Sequence, residues 1–146
     1  MSSKMRVVIY TDGACDPNPG PGGWAALLRF GSQEKILSGS DPDTTNNRME
    51  LTAAVQALQA LNRPSPIDLY TDSQYLRNGI TEWLPGWKKR GWKRRGGALA
   101  NQDLWQALDA SLAEHDITWH WVRGHAGNRD NQRVDYLARQ AMRNQR

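Results

Sequence analysis

The sequence predicts an α/β fold, and three observations predict it. Short apolar runs rich in Val, Ile and aromatic residues alternate with longer stretches of helical periodicity. Two of those runs end in nearly the same tetrapeptide, Tyr10-Thr11-Asp12-Gly13 and Tyr70-Thr71-Asp72-Ser73. No linker divides the 146 residues, a length that suits a single domain over 1–146. Each of the two runs would hand an aspartate to a sheet end, where ligand chemistry gathers in open α/β sheets.

The elements follow in chain order. Residues Met5–Thr11, Trp24–Phe30 and Lys35–Ser40 have the composition of three strands. The link Asp16-Pro17-Asn18-Pro19-Gly20-Pro21-Gly22-Gly23 has that of a loop. A helix is expected from about Asn47 to Leu61, stopped by Asn62-Arg63-Pro64. Ile67–Thr71 is a fourth strand. Short helices follow around Gln74–Gly79 and through the basic segment near 82–97, which Gly96-Gly97 ends. A helix over Gln102–Ala113 turns Leu104, Ala107, Leu108 and Leu112 to the core. Ile117–Val122 is a fifth strand, and Val134–Met142 belongs to a last helix. The twin tetrapeptides are not a repeat, because the first leads into a hairpin and the second into a helix.

Composition excludes several classes of function. The longest apolar runs are a few residues, too short to span a bilayer. The start Met1-Ser2-Ser3-Lys4-Met5 lacks the apolar stretch of a signal peptide. Cys15, the only cysteine, permits neither an internal disulfide framework nor a cysteine-cluster zinc site. A cytoplasmic protein is expected. The net charge of +4 is local: Lys88-Lys89-Arg90-Gly91-Trp92-Lys93-Arg94-Arg95 carries six positive charges, so the remainder is net negative. Such a run is a solvated loop or the contact for a polyanion. Trp83 and Trp87 lie one helical turn apart beside it, which favours a packed handle.

Four carboxylates carry the chemistry. Glu50 heads the stripe Ala53, Ala54, Ala57, Leu58 and Leu61 and so faces the sheet. A buried glutamate needs a partner or a cation. Alternatively Asn47 and Glu50 form a capping box. Asp135 borders the stripe Val134, Leu137, Ala138 and Ala141, where it is a ligand or a helix-dipole carboxylate. Asp12 alone could be a turn residue before Gly13. Taken with Asp72, the four are hard oxygen donors suited to Mg²⁺ or Mn²⁺. Two such ions about 3.5–4 Å apart can clamp a phosphodiester displacement. Joined to a basic, aromatic patch, this set argues for a metal-dependent nuclease.

The chain resembles the bacterial type I ribonucleases H from end to end. The segments that carry the resemblance are Tyr10-Thr11-Asp12-Gly13-Ala14, Asn46-Asn47-Arg48-Met49-Glu50-Leu51, Tyr70-Thr71-Asp72-Ser73-Gln74-Tyr75, Trp87-Lys88-Lys89-Arg90-Gly91-Trp92 and Gly124-His125-Ala126-Gly127, with Asn131 and Asp135 after them. The resemblance implies a five-stranded mixed sheet flanked by helices, its first three strands antiparallel and the other two parallel. It implies that Asp12, Glu50, Asp72 and Asp135 hold two Mg²⁺ ions, which Mn²⁺ can replace. It also implies endonucleolytic cleavage of RNA paired to DNA, leaving 5′-phosphate and 3′-hydroxyl ends. A monomer is expected. His125, between small residues, falls on the family's loop histidine and could shuttle a proton or aid product release. Cys15, Asn18, Thr45, Asn46, Asn47 and Gln74 fall on positions that meet the minor groove of the hybrid, where amides can bond to 2′-hydroxyls. Trp83, Trp87, Lys88, Lys89, Arg90 and Trp92 fall on the handle that meets the other strand.

Overall fold

A computed structural model describes residues 6–93, 99–123 and 128–145. Its elements are β1 (Val7–Cys15), β2 (Gly20–Phe30), β3 (Gln33–Thr44), α1 (Asn46–Gln59), β4 (Pro66–Thr71), α2 (Gln74–Asn78), a π-helical turn (Gly79–Trp83), α3 (Leu84–Lys89), α4 (Gln102–Glu114), β5 (Asp116–Trp121) and α5 (Arg129–Arg143). The five strands form one sheet in the order β3-β2-β1-β4-β5. β1, β2 and β3 pair antiparallel, and β4 and β5 join parallel on the other side of β1. The expected mixed sheet is the one observed.

Alternation along β1 divides the core in two. Val7 and Ile9 face α1 and α4 and pack with Leu51, Leu58, Trp105 and Leu108. Tyr10, with Val8 beside it, packs with Val134 and Ala138 of α5. The sheet is therefore covered by α1 and α4 on one face and by α5 on the other. β3 lies at an open edge, where Glu34, Lys35 and Pro42 discourage further strand pairing.

Several boundaries differ from the sequence reading, each for a physical reason. β1 runs past Thr11 to Cys15, because Gly13, Ala14 and Cys15 pair with Trp24, Gly23 and Gly22. Gly20–Gly23, expected as loop, is thus the first part of β2. Small residues are needed there for close approach: a Cβ on Gly23 would lie 2.4 Å from the Ala138 carbonyl oxygen of α5. The cap of α1 is Thr45, whose side chain accepts from the Arg48 N–H, and not Asn47. α5 contains Val134–Met142 as expected and extends back to Arg129, capped by Asn128. On α4 the buried residues are Trp105, Leu108 and Ser111, while Leu104, Ala107 and Leu112 pack at the margin of the core.

Candidate active site

The twin tetrapeptides are neighbours in register. Tyr10 pairs with Tyr70 in the parallel β1–β4 ladder, and their rings stack at 4.6 Å. Asp12 and Asp72 each follow two residues later, so the ladder delivers both carboxylates to one level. Adjacent strands lie about 4.8 Å apart. Beyond Tyr10 the strand β1 keeps only its antiparallel partner, which leaves a notch where β4 turns away.

Glu50 enters that notch from α1. The approach depends on Gly13, whose Cβ would lie 2.4 Å from the Glu50 backbone nitrogen and 2.6 Å from the Met49 carbonyl carbon. Any side chain there would push α1 from β1 and Glu50 from Asp12. One carboxylate oxygen from each of Asp12, Glu50 and Asp72 lies within 4.8 Å of the other two. The Glu50 Oε1 accepts from the Asn46 amide and from the Ser73 hydroxyl, both at 3.2 Å. Ser73 also caps α2, its hydroxyl accepting from the Leu76 N–H at 3.0 Å. The Asp12 Oδ1 accepts from the Gly13 N–H at 2.8 Å.

Electrostatics mark these groups as strained without a cation. Burial, then the charge of Asp72, pushes the Asp12 carboxyl up to about 8. Burial and Asp72 push Glu50 up to about 7. Asp135 is near enough for its charge to add to the push on Asp12. It stands outside the tight trio, on the second turn of α5, and pairs with Arg139 at 3.3 Å. With α5 starting at Arg129, Asp135 is not a first-turn dipole carboxylate. With Thr45 as cap, Glu50 is not in a capping box. Four hard oxygen donors, three of them converging and two held partly protonated at neutral pH, suit a divalent cation.

The amide-bearing positions gather beside this cluster. Thr45, Asn46 and Asn47 form the start of α1, and the Asn18 Oδ1 accepts from the Asn46 N–H at 3.1 Å. Cys15 closes β1, its thiol within 3.3–3.5 Å of the Pro17, Gly20 and Thr44 carbonyls. Gln74 opens α2, exposed, two residues after Asp72. Ser73 is the residue the sequence reading missed. Its signal was a serine before a short helix, the usual mark of a cap.

The handle is built on aromatic contacts. Trp92, Trp87 and Trp83 follow one another at ring separations of 6.3 and 5.9 Å, and Trp87 lies 5.4 Å from the buried Trp105. The Tyr75 hydroxyl accepts from Trp105 Nε1 and Asn101 Nδ2, both at 3.0 Å. An open groove of about 730 Å³ runs between Tyr75, Trp83, Trp87, Arg90, Lys93 and Leu99. Lys88 is tied to Asp109 at 3.1 Å, whereas Lys89 and Arg90 are exposed. His125, Arg94 and Arg95 lie outside the described residues.

Comparison with known proteins agrees with this geometry. The RNase H family model matches residues 4–143. Ribonuclease H of Halorhodospira halophila (strain DSM 244 / SL1) is 60% identical over 144 residues, covering 97% of each chain. The crystal structure of LC9-RNase H1 superposes with a TM-score of 0.88 at 32% identity, over 100% of this chain and 76% of that one. LC11-RNase H1, crystallised with an RNA/DNA hybrid, shares the fold at 19% identity, with a TM-score of 0.72 over 96% of this chain and 99% of that one. A match over nearly the whole chain, on a fold that brings the acidic residues together, means that this chain belongs to the ribonuclease H family of metal-dependent endoribonucleases.

Proposed function

We propose that this chain, as one unit over residues 1–146, hydrolyses the RNA strand of RNA/DNA hybrids endonucleolytically, giving 5′-phosphate and 3′-hydroxyl ends. The observation that carries the proposal is the convergence of Asp12, Glu50 and Asp72 within 4.8 Å beside Asp135. These four would hold two Mg²⁺ ions, with Mn²⁺ able to substitute. When bound, such ions clamp the attacking and leaving oxygens and acidify the attacking water.

The protein's own groups supply position and protons. The Gly13 N–H fixes the Asp12 carboxylate, and Ser73 and Asn46 aim that of Glu50. Cys15, Asn18, Thr45, Asn46, Asn47 and Gln74 would line the minor groove of the hybrid and read the 2′-hydroxyls of the RNA strand. The groove beside Trp83 and Trp87, with Lys89, Arg90 and Trp92, would seat the DNA strand through its phosphates. Lys88 would help from its tether on Asp109. His125 would pass a proton to the leaving 3′-oxygen or help release product. Contacts made mainly to sugar and phosphate predict cleavage that tolerates sequence.

The reading includes a monomer acting in the cytoplasm. Among the described residues no helix is long and apolar enough to cross a membrane. The test is a DNA duplex carrying four ribonucleotides, incubated in Mg²⁺ with the protein and with D72N. Cutting by the wild type inside the ribonucleotides, none in an all-DNA duplex, and none by a folded D72N are expected. Equal cutting of the all-DNA duplex, or near-normal turnover by D72N, would overturn the proposal.

A further inference from the structure

We propose that Arg139 is a positioning residue that competes with the catalytic cation for Asp135 and so sets how tightly the cation is held there. The inference rests on the reading of Asp135 as a ligand.

The three carboxylates of the trio point inward and share one small volume. Asp135 does not join them. Its two oxygens both accept from the Arg139 Nε, each at 3.3 Å, one helical turn further along α5. The acid precedes the base in an i,i+4 pair, which is the favourable order on a helix. Arg139 is half exposed, with 49% of its side chain open to solvent, while the Asp135 side chain is 27% open. Asp135 thus already has a cationic partner along its own helix, and its charge is still felt at Asp12.

A cation binding at Asp135 must therefore displace the guanidinium or share the carboxylate with it. Either way a fixed positive charge opposes the arrival of another. Asp12 is held by a backbone N–H, and Glu50 by an amide and a hydroxyl. Arg139 would weaken the Asp135 side of the site. A substrate phosphate brings negative charge that offsets it, so occupancy there would rise with substrate binding.

Isothermal titration of the substrate-free protein with MgCl₂, at low ionic strength, tests this directly. R139A should bind Mg²⁺ about 3–10-fold more tightly than the wild type, as loss of an adjacent like charge requires. R139K keeps the charge and should stay within about 2-fold of wild type. In a D135N background the R139A effect should vanish. In turnover assays R139A should need less Mg²⁺ for half-maximal rate, with the KM for the hybrid little changed. A purely structural Arg139 would lower thermal stability without tightening Mg²⁺ binding, and that result would overturn the proposal. So would an R139A effect that persists with D135N. D12N and D72N separate the two readings: if neither weakens Mg²⁺ binding, the site assignment itself fails, whereas weakened binding there with unchanged R139A refutes only the role of Arg139.

Discussion

Replacing Asp12 by Asn should stabilise the metal-free protein while removing its response to metal. The Asp12 carboxyl titrates near 8 in the folded chain against 3.8 ordinarily, because of burial and then the charge of Asp72. A raised carboxyl favours folding fully below pH 3.8, and that advantage declines as pH climbs towards 8. At pH 7 the wild type has lost about 4 kcal/mol of it, at roughly 1.4 kcal/mol for each pH unit between 3.8 and 7. Asn never ionises and escapes this loss. The charge-assisted bond from the Gly13 N–H already acts within that value, where it lowers the carboxyl against burial. The net gain is about 4 kcal/mol, or roughly 8–16 °C in Tm for a chain of this size. The gain should shrink to near zero at pH 4. Mg²⁺ at 100 times its Kd should stabilise the wild type by about 2.7 kcal/mol and D12N hardly at all, which narrows the gap. Thermal unfolding followed by circular dichroism at pH 4 and 7, in EDTA and in Mg²⁺, provides all four comparisons. A D12N protein less stable than wild type in EDTA at pH 7, or a gap independent of pH, would refute the reasoning.

Other substitutions probe the supports of the site. S73A should cost about 1 kcal/mol as a lost cap and also slow turnover, because Glu50 loses a donor; slowing absent from S73A would separate Ser73 from catalysis. E50Q should nearly abolish cleavage and, like D12N, stabilise the metal-free protein at pH 7, whereas full activity would remove Glu50 from the ligand set. G13A should destabilise by about 3 kcal/mol or more, since the added methyl meets backbone on α1; a chemical denaturation midpoint equal to wild type would contradict the close contact. Neutralising Lys89, Arg90 and Lys93 should raise KM more than it lowers kcat and flatten the dependence of affinity on salt, and an unchanged salt slope would mean that the handle misses the substrate. H125A should slow turnover about 10–100-fold with substrate affinity held, as for a proton shuttle, and complete loss would assign it a different role.

The parts of the fold that the sequence revealed are those with strong periodicity or β-branched residues. Val7 to Thr11, Ile67 to Thr71 and the Ala53–Leu58 stripe were legible because burial and local propensity agree there. The glycines at 20, 22 and 23 were not. Gly22 and Gly23 are strand because they pair with β1 and pack closely against α1 and α5, and Gly20 because it pairs with Thr44 of β3, and none of this leaves a mark in composition. The first turn of α5 was equally hidden. Arg129 to Arg133 has no apolar period, and ion pairs hold it: Arg29 to Asp130 at 3.0 Å and Arg133 to Glu34 at 3.0 Å. Trp105 was missed because the leucines on α4 suggested a different buried face. At the site, Asp12, Asp72 and Glu50 could be read individually. Their meeting needed the β1–β4 register and the bare Cα of Gly13. The Arg139 partner of Asp135 was visible in the spacing but carries no signal until the carboxylate is seen to stand apart.

The parallel pairing of β1 with β4 has a further consequence, for the order in which the chain becomes a nuclease. Asp12 and Asp72 meet only after a long loop has closed, which is slow compared with forming local helices. Asp135 arrives later still during synthesis, on a helix that follows every strand in the chain. Until α5 docks, a nascent chain has neither the fourth carboxylate nor the cover over Tyr10 and Leu27. A half-made chain would thus be unable to cut, and competence would coincide with completion of the fold.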